Sequence, residues 1–226
     1  MQPTFLPWAG YFNLLAKADE FVFLDDVQLE KQSWQTRNRI LVNGQIHWVV
    51  VPVRHRELAQ TIAETTLLDA AHWRRKFART FEQSYCRHPH FADGRELIDT
   101  LLSCDTPYLA ELNEALIRFA ACKLGLSPRL YRARDLGIEG KRSERLAALC
   151  AHFGVGEYLS PMGAAEYLRE DGFTENASAR LRLQDYVPAP YAQRGTDEFF
   201  SHLSIVDVVA NLGWAGARDY AIGHRN

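Results

Sequence analysis

Phe21-Val22-Phe23-Leu24 is an unbroken apolar run, bounded by Asp19-Glu20 before it and Asp25-Asp26 after it. Four apolar residues in a row without alternation predict a strand buried on both faces, as in a parallel sheet. Parallel strands need long crossovers, usually helical, and helical patterns do follow this run. The expected class is therefore α/β, a mostly parallel sheet with flanking helices.

The segments around the run fit that class. Phe12, Leu15 and Ala16 recur at helical spacing after Pro7-Trp8-Ala9-Gly10, so a short helix is expected from Trp8 or Ala9. Asn43-Gly44 between two apolar arms predicts a hairpin with a type I′ turn, its second arm ending at Pro52. Asp69 is placed to cap a helix with Trp73, Phe77, Phe81 and Tyr85 on one stripe and Arg74, Arg75, Lys76 and Arg79 on its other faces. Thr106-Pro107 reads as the cap and first residue of a helix carrying Leu109, Leu112, Leu116 and Phe119, stopped by Gly125. Residues 69–126 thus read as a helical insertion within a single domain of residues 1–226. Beyond it come strands near Arg129 and Glu157, an alternating one from Leu181, and helices capped by Ser143 and Ser204. A buried strand is also expected ahead of a turn like residues 2–10. Either the chain starts too late to include it, or the fold manages without it.

Lys and Arg number 26 against 28 Asp and Glu, which leaves no global attraction to nucleic acid or anionic membrane. No apolar run approaches the roughly 18 residues of a membrane span. The opening residues read as a turn rather than a signal peptide, so a cytoplasmic location is expected, with Cys86, Cys104, Cys122 and Cys150 as buried free thiols.

Polar chemistry concentrates in the first fifty residues. Asp25 and Asp26 stand at the expected carboxyl end of the buried strand, where open α/β sheets bind ligands. They could hold sugar hydroxyls or magnesium, act as a base, or simply form a turn. Arg37 and Arg39 flank Asn38, and alternation sends the two guanidiniums to one face, suited to phosphate or carboxylate. Trp8, Gly10 and Tyr11 sit at a helix start, where free amides favour an anion and Gly10 permits close approach. Gln2, Gln28 and Trp34 complete this group. Lys141, Ser143 and Arg145 around a second helix start suggest another anion site, because bases there oppose the helix dipole. His88-Pro89-His90 has no third ligand at a sensible spacing and reads as a turn, so no metal site is expected.

Three strings together resemble the WbqC-like family: Gln2-Pro3…Pro7-Trp8-x-Gly10-Tyr11-Phe12, Ala18-Asp19-x-Phe21-Val22-x-Leu24-Asp25-Asp26-Val27-Gln28, and Ser33-Trp34-x-x-Arg37-Asn38-Arg39-Ile40. Lys141-x-Ser143-x-Arg145, Tyr158-Leu159-Ser160-x-x-Gly163, Tyr191-x-Gln193 and Ser204-Ile205-x-Asp207 extend it over nearly the whole chain. Thr36 stands where Asn is common and Pro161 where Gly is common, and the short strand ahead of Gln2-Pro3 is missing. The layout also resembles the nucleotidyltransferase-like (HUP-like) fold, with Trp8 and Tyr11 where that group usually has histidines. The family resemblance implies a role in O-antigen or surface-polysaccharide synthesis: a transferase that acylates the amine of a nucleotide-linked amino sugar, with glycyl as one acyl group it implies. Asp25 or Asp26 would take the proton or bind hydroxyls. Arg37, Arg39, Lys141 and Arg145 would hold anions, and Gln2, Gln28, Asn38 and Ser160 would line the site. Activating a free acid would require ATP and magnesium; a thioester or aminoacyl-tRNA donor would not. The alternative is a non-catalytic nucleotide-sugar-binding or scaffold protein of the same pathway.

Overall fold

The computed structural model describes residues 1–54, 59–68 and 70–223. Helix α1 (Ala9–Ala16) leads into strand β1 (Glu20–Phe23). Strands β2 (Arg37–Val42) and β3 (Gln45–Val50) form the expected hairpin. Asn43 and Gly44 both have positive φ (52° and 73°), as a type I′ turn requires. Strands β4 (Val53–Arg54) and β5 (Thr66–Leu67) pair briefly. The helical block follows as α2 (Ala70–Tyr85), α3 (Phe91–Ser103) and α4 (Leu109–Lys123). Then come β6 (Arg129–Arg132), α5 (Ala133–Leu136), α6 (Arg142–Phe153), β7 (Glu157–Ser160), α7 (Ala165–Glu170), α8 (Phe173–Asn176), β8 (Arg180–Leu183) and α9 (Ile205–Ile222), the last broken at Gly213.

The class is mixed α/β with some parallel strands, but the mostly parallel sheet is absent among the described residues. Four separate two-stranded ladders stand instead. Those of β1 with β6 and β7 with β8 are parallel, and the other two are antiparallel. The strand at residues 21–23 is also less symmetric than its apolar run suggested. Phe21 and Phe23 are buried in the main core, while Val22 and Leu24 are half-buried against a second cluster built on α6.

Helices α1, α2, α3, α4 and α9 share the main core with β1. The α2 stripe lies as its spacing predicts, with Trp73, Phe77, Phe81 and Tyr85 all buried. Its expected cap, Asp69, lies outside the described residues. Arg74 departs from the solvent face: it is buried, and its guanidinium donates to the carbonyls of Cys104 and Thr106. Thr106 is not the cap of α4, which starts two residues later than the Thr-Pro signal. Its hydroxyl accepts from the Tyr108 amide and donates to Glu111. Ser143 likewise lies inside α6 rather than capping it, and its hydroxyl donates to Asp171. Ser204 does cap α9, accepting the Val206 amide. All four thiols are free, but Cys86 and Cys122 are exposed rather than buried. No described helix is long and apolar enough to cross a membrane.

Candidate functional site

Because β1 and β6 run parallel, residue for residue from Glu20 opposite Arg129, their carboxyl ends emerge together. Asp25 leaves one and Arg134 the other. Asp25 is fully buried; its Oδ1 accepts the Arg134 amide at 3.3 Å, and its Oδ2 faces Arg134 Nε at 3.0 Å. Asp26 takes a two-pronged contact from Arg145, at 2.8 Å to Oδ1, which ties α6 to the end of β1. From α4, buried Glu114 accepts Arg132 Nε at 2.7 Å. Burial pushes the Asp25 carboxyl above its ordinary value, opposed by Arg134, and burial raises Glu114 likewise, opposed by Arg132. The Asp25 charge adds to the rise at Glu114, so the two carboxylates sense each other. Asp25 Oδ2 is paired with the Arg134 guanidinium, whereas Glu114 Oε1 is buried and accepts no hydrogen bond. Buried acceptors are normally filled, so Glu114 Oε1 marks a place for a donor.

The loop leading to α1 borders this cluster. Gln2 accepts a 2.7 Å bond from Gln35, and Asn113, next to Glu114 on α4, donates to the carbonyls of Pro3 and Gln35. Tyr11 is buried, its hydroxyl donating to the Gln2 carbonyl. Leu6 is held at a φ of 40°, a left-handed backbone that costs a non-glycine residue on the order of 1–2 kcal/mol. Two donors clamp its carbonyl, Asn38 Nδ2 and Ser204 Oγ, each at 2.8 Å. Asn38 also bonds the Phe5 carbonyl at 3.0 Å. It therefore braces the loop rather than facing a ligand.

A second group lies on the outer face of the hairpin. Register places Arg39 opposite Trp48 and Arg37 opposite Val50, so both arginines share one face, with Asn38 on the other, as alternation requires. The Arg37 guanidinium sits 4.3 Å over the Trp48 ring, and Arg39 lies 5.5 Å from Trp34. The two tryptophans touch at 5.5 Å and remain 46% and 40% exposed, unusual for so large an apolar surface. Arg39 also donates to the Ser201 and His202 carbonyls, while its Nε is buried without a partner. Burial lowers the Arg39 pKa. Trp8 continues the strip, its ring 4.3 Å from the His202 ring and tilted 36° to it.

Gly10 is glycine for a reason other than the expected approach of a ligand. A Cβ there would meet the Trp8 indole at 2.2 Å, so the indole fills that space. Gln28 is exposed and bridges to Thr61. Lys141 is exposed at the start of α6, apart from Ser143, which is turned to Asp171. Ser160 is buried at the end of β7, its hydroxyl 3.4 Å from the Pro161 carbonyl. The structure thus brings Asp25, Asp26 and Arg145 together and groups Arg37, Arg39, Trp34 and Trp8 elsewhere on the surface.

Arg132, Arg134, Glu114 and Trp48 were not singled out by sequence, though each left a signal. Arg132 ends one strand and Arg134 follows it, as Asp25-Asp26 follows its own, and parallel neighbours share a carboxyl edge. Glu114 interrupts the apolar stripe of α4. Trp48 follows from counting back from the Asn-Gly turn to Arg39. Among the described residues, no group of three His, Cys, Asp or Glu side chains is placed to hold a metal. Asp25 and Asp26 are each engaged by an arginine, so they do not fit a resident magnesium.

The sequence profile of the WbqC-like protein family matches residues 2–219. An uncharacterized protein of Mycobacterium tuberculosis strain H37Rv is 34% identical over 221 residues, covering 97% of this chain and 95% of its own. No solved structure matches the chain. With the match running from the Gln2 loop to the last turn of α9, this chain belongs to the WbqC-like protein family.

Proposed function

We propose that this protein is a transferase of surface-polysaccharide biosynthesis, acylating the amine of a nucleotide-linked amino sugar. The observation that carries this reading is Glu114 Oε1, a buried carboxylate oxygen with no donor, which senses the charge of buried Asp25 at the carboxyl edge of the parallel strands. An amine or a sugar hydroxyl is the donor that oxygen lacks. A carboxyl whose pKa is raised by burial is also a stronger base, suited to taking a proton from an attacking ammonium or amine.

In this chemistry the sugar nitrogen attacks the acyl carbonyl carbon. A C–N bond forms, the carbon–sulfur or carbon–oxygen bond to the donor breaks, and the amine proton passes to Asp25 and on to the leaving thiolate or alkoxide. Arg134 and Arg145 keep Asp25 and Asp26 in place. ATP and magnesium would be required only for a free-acid donor, and would come with the substrate rather than reside on the protein.

The test is turnover of nucleotide-linked amino sugars with thioester, aminoacyl-tRNA or ATP-plus-amino-acid donors, read by mass spectrometry. Asp25→Asn is expected to keep sugar-nucleotide binding, read as a thermal shift, and to lose turnover by roughly a hundredfold or more. Unchanged turnover in that variant would remove Asp25 from the mechanism.

A second reading, a non-catalytic nucleotide-sugar-binding protein, is favoured by the Trp34–Trp48–Arg37–Arg39 strip, which can hold a ring and a phosphate without a base. It predicts a ligand-induced thermal shift that disappears in Trp48→Ala and no product with any donor. Docking of a tRNA donor on exposed Arg75, Lys76 and Arg79 of α2 would show as steeply salt-dependent binding.

A further inference from the structure

The β2–β3 hairpin has two outer edges, and among the described residues only one of them is closed. The Val51 amide donates to the Thr36 carbonyl at 2.7 Å, so these two face each other as a bonded pair. Counting on in register, Asn38 with Val49, Ile40 with His47 and Val42 with Gln45 also bond inward. The alternate residues turn their backbone groups outward. On β2 those groups are occupied. The Arg39 carbonyl accepts the Ser204 amide at 2.9 Å, and the Leu41 amide donates to the Tyr85 hydroxyl at 3.0 Å. On β3 they belong to Ile46, Trp48 and Val50, and no described residue bonds to them.

A free edge recruits another strand, so edges are normally guarded by charge, proline or a covering segment. Arg129 and Arg132 stand on β6, and Arg180 and Arg182 on β8. Strand β3, Gln45-Ile46-His47-Trp48-Val49-Val50, has no acid, lysine, arginine or proline. The side chains of Ile46, Trp48 and Val50 share one face and all are exposed.

We propose that two copies of this chain pair through β3, antiparallel about a two-fold axis, into one sheet of order β2, β3, β3, β2. The strand is complementary to itself. Only the register with Trp48 opposite the partner's Trp48 uses all three open residues of each copy. It sets Ile46 against the partner's Val50, apolar against apolar, on both sides of the axis. Charge favours the same arrangement. Stacking the hairpins face to face would bring Arg37 and Arg39 onto the same arginines of the second copy. Edge pairing keeps the two β2 strands three spacings apart, about 14 Å, beyond the roughly 8 Å screening length. The interface is small, near the roughly 1,000 Å² floor of specific association, so the dimer is weak, with a midpoint on the order of 10–100 µM. It makes the Trp48 strip continuous across the two copies.

The test is sedimentation velocity on the full chain from roughly 5 to 500 µM, with amide exchange at both ends of that range. The parent should pass from monomer to dimer, its Ile46, Trp48 and Val50 amides exchanging roughly tenfold more slowly in the dimer. Ile46→Lys and Val50→Glu each bury a lone charge against an apolar side chain of the second copy, weakening association about tenfold or more. Both side chains are exposed in a single copy, so the melting temperature of each dilute variant should match the parent's. Mixing the two variants sets the new lysine beside the new glutamate across the axis and should restore dimerisation. A parent that stays monomeric throughout overturns the proposal. So does a dimer that Ile46→Lys leaves unchanged, or a mixture that associates no better than either variant alone. No readout depends on transferase activity.

Discussion

Asp207 tests how far the polar interior of this fold is built for one charge. It is buried on α9, and its Oδ2 accepts from the Tyr85 hydroxyl at 2.7 Å while its Oδ1 accepts from Tyr191 at 2.6 Å and Asn211 at 3.2 Å. The Tyr85 hydroxyl has a second task, accepting the buried Leu41 amide at 3.0 Å and so tying α2 to the hairpin. Tyr85→Phe therefore strands two buried groups, a carboxylate oxygen and a backbone N–H. At roughly 1–3 kcal/mol for each, the loss comes to about 4 kcal/mol. Tyr191→Phe removes one bond from an oxygen that keeps Asn211, a loss of about 1–2 kcal/mol. At roughly 2–4 °C per kcal/mol for a chain of this size, the two variants should melt about 12 °C and about 4 °C below the parent. The pH dependence carries the sign. Burial raises the Asp207 carboxyl above its ordinary value, against donors that lower it. A raised folded value means this group favours the fold at low pH and opposes it as pH climbs through that value. Losing Tyr85 raises it further, so the Tyr85→Phe deficit is full where Asp207 is ionised in both proteins and shrinks as pH falls. Scanning calorimetry at several pH values decides the matter. Equal losses for the two variants, or a Tyr85→Phe deficit that does not change with pH, would refute the idea that the hydroxyl serves an ionised Asp207.

Two further outcomes follow from the same reasoning. Asn38→Ala removes two of the three side-chain bonds on the Phe5 and Leu6 carbonyls and leaves only Ser204 on Leu6, so the strained Leu6 loop should relax at a cost of about 2–4 kcal/mol. Amide exchange should then quicken at residues 5–8 before it does in α9; uniform loosening would show the loop is held by something else. In the chain bearing a free amine at Met1, complete burial lowers that amine from 8.0 to about 5. A lowered value for a cation means stability is full above pH 8 and falls as pH drops toward 5, by about 4 kcal/mol over the whole span. Nα-acetylation should flatten that part of the melting-temperature profile, and identical profiles with and without the acetyl group would show the amine is not desolvated.

The fold was legible where the governing contacts are local. The Asn43-Gly44 hairpin, the Trp73-to-Tyr85 stripe and the Ser204 cap each depend on a few adjacent residues, and all three stand as their spacing implies. Ser143 and Thr106 show the limit of that logic, since each has the right side chain near a helix start but a better partner elsewhere, Asp171 and Glu111. Sheet assembly was illegible in a different way. Apolar Phe21-Val22-Phe23-Leu24 announces burial on two faces, yet what covers the second face is set by α6, more than a hundred residues away in sequence. The site divides along the same line. Asp25 and Asp26 were visible from their place after a strand, but their arginines come from α5, which the β1–β6 register brings beside Asp25, and from α6. Asn38 carries the opposite lesson. It sits between two arginines in a motif that reads as ligand chemistry, and its amide is spent on the Phe5 and Leu6 carbonyls. Asp207 and Tyr191 repeat it at the other end of the chain. A family motif in this fold therefore marks a position that something must hold, and only an unfilled partner, as at Glu114 Oε1, separates the places that hold the protein from those that can hold a substrate.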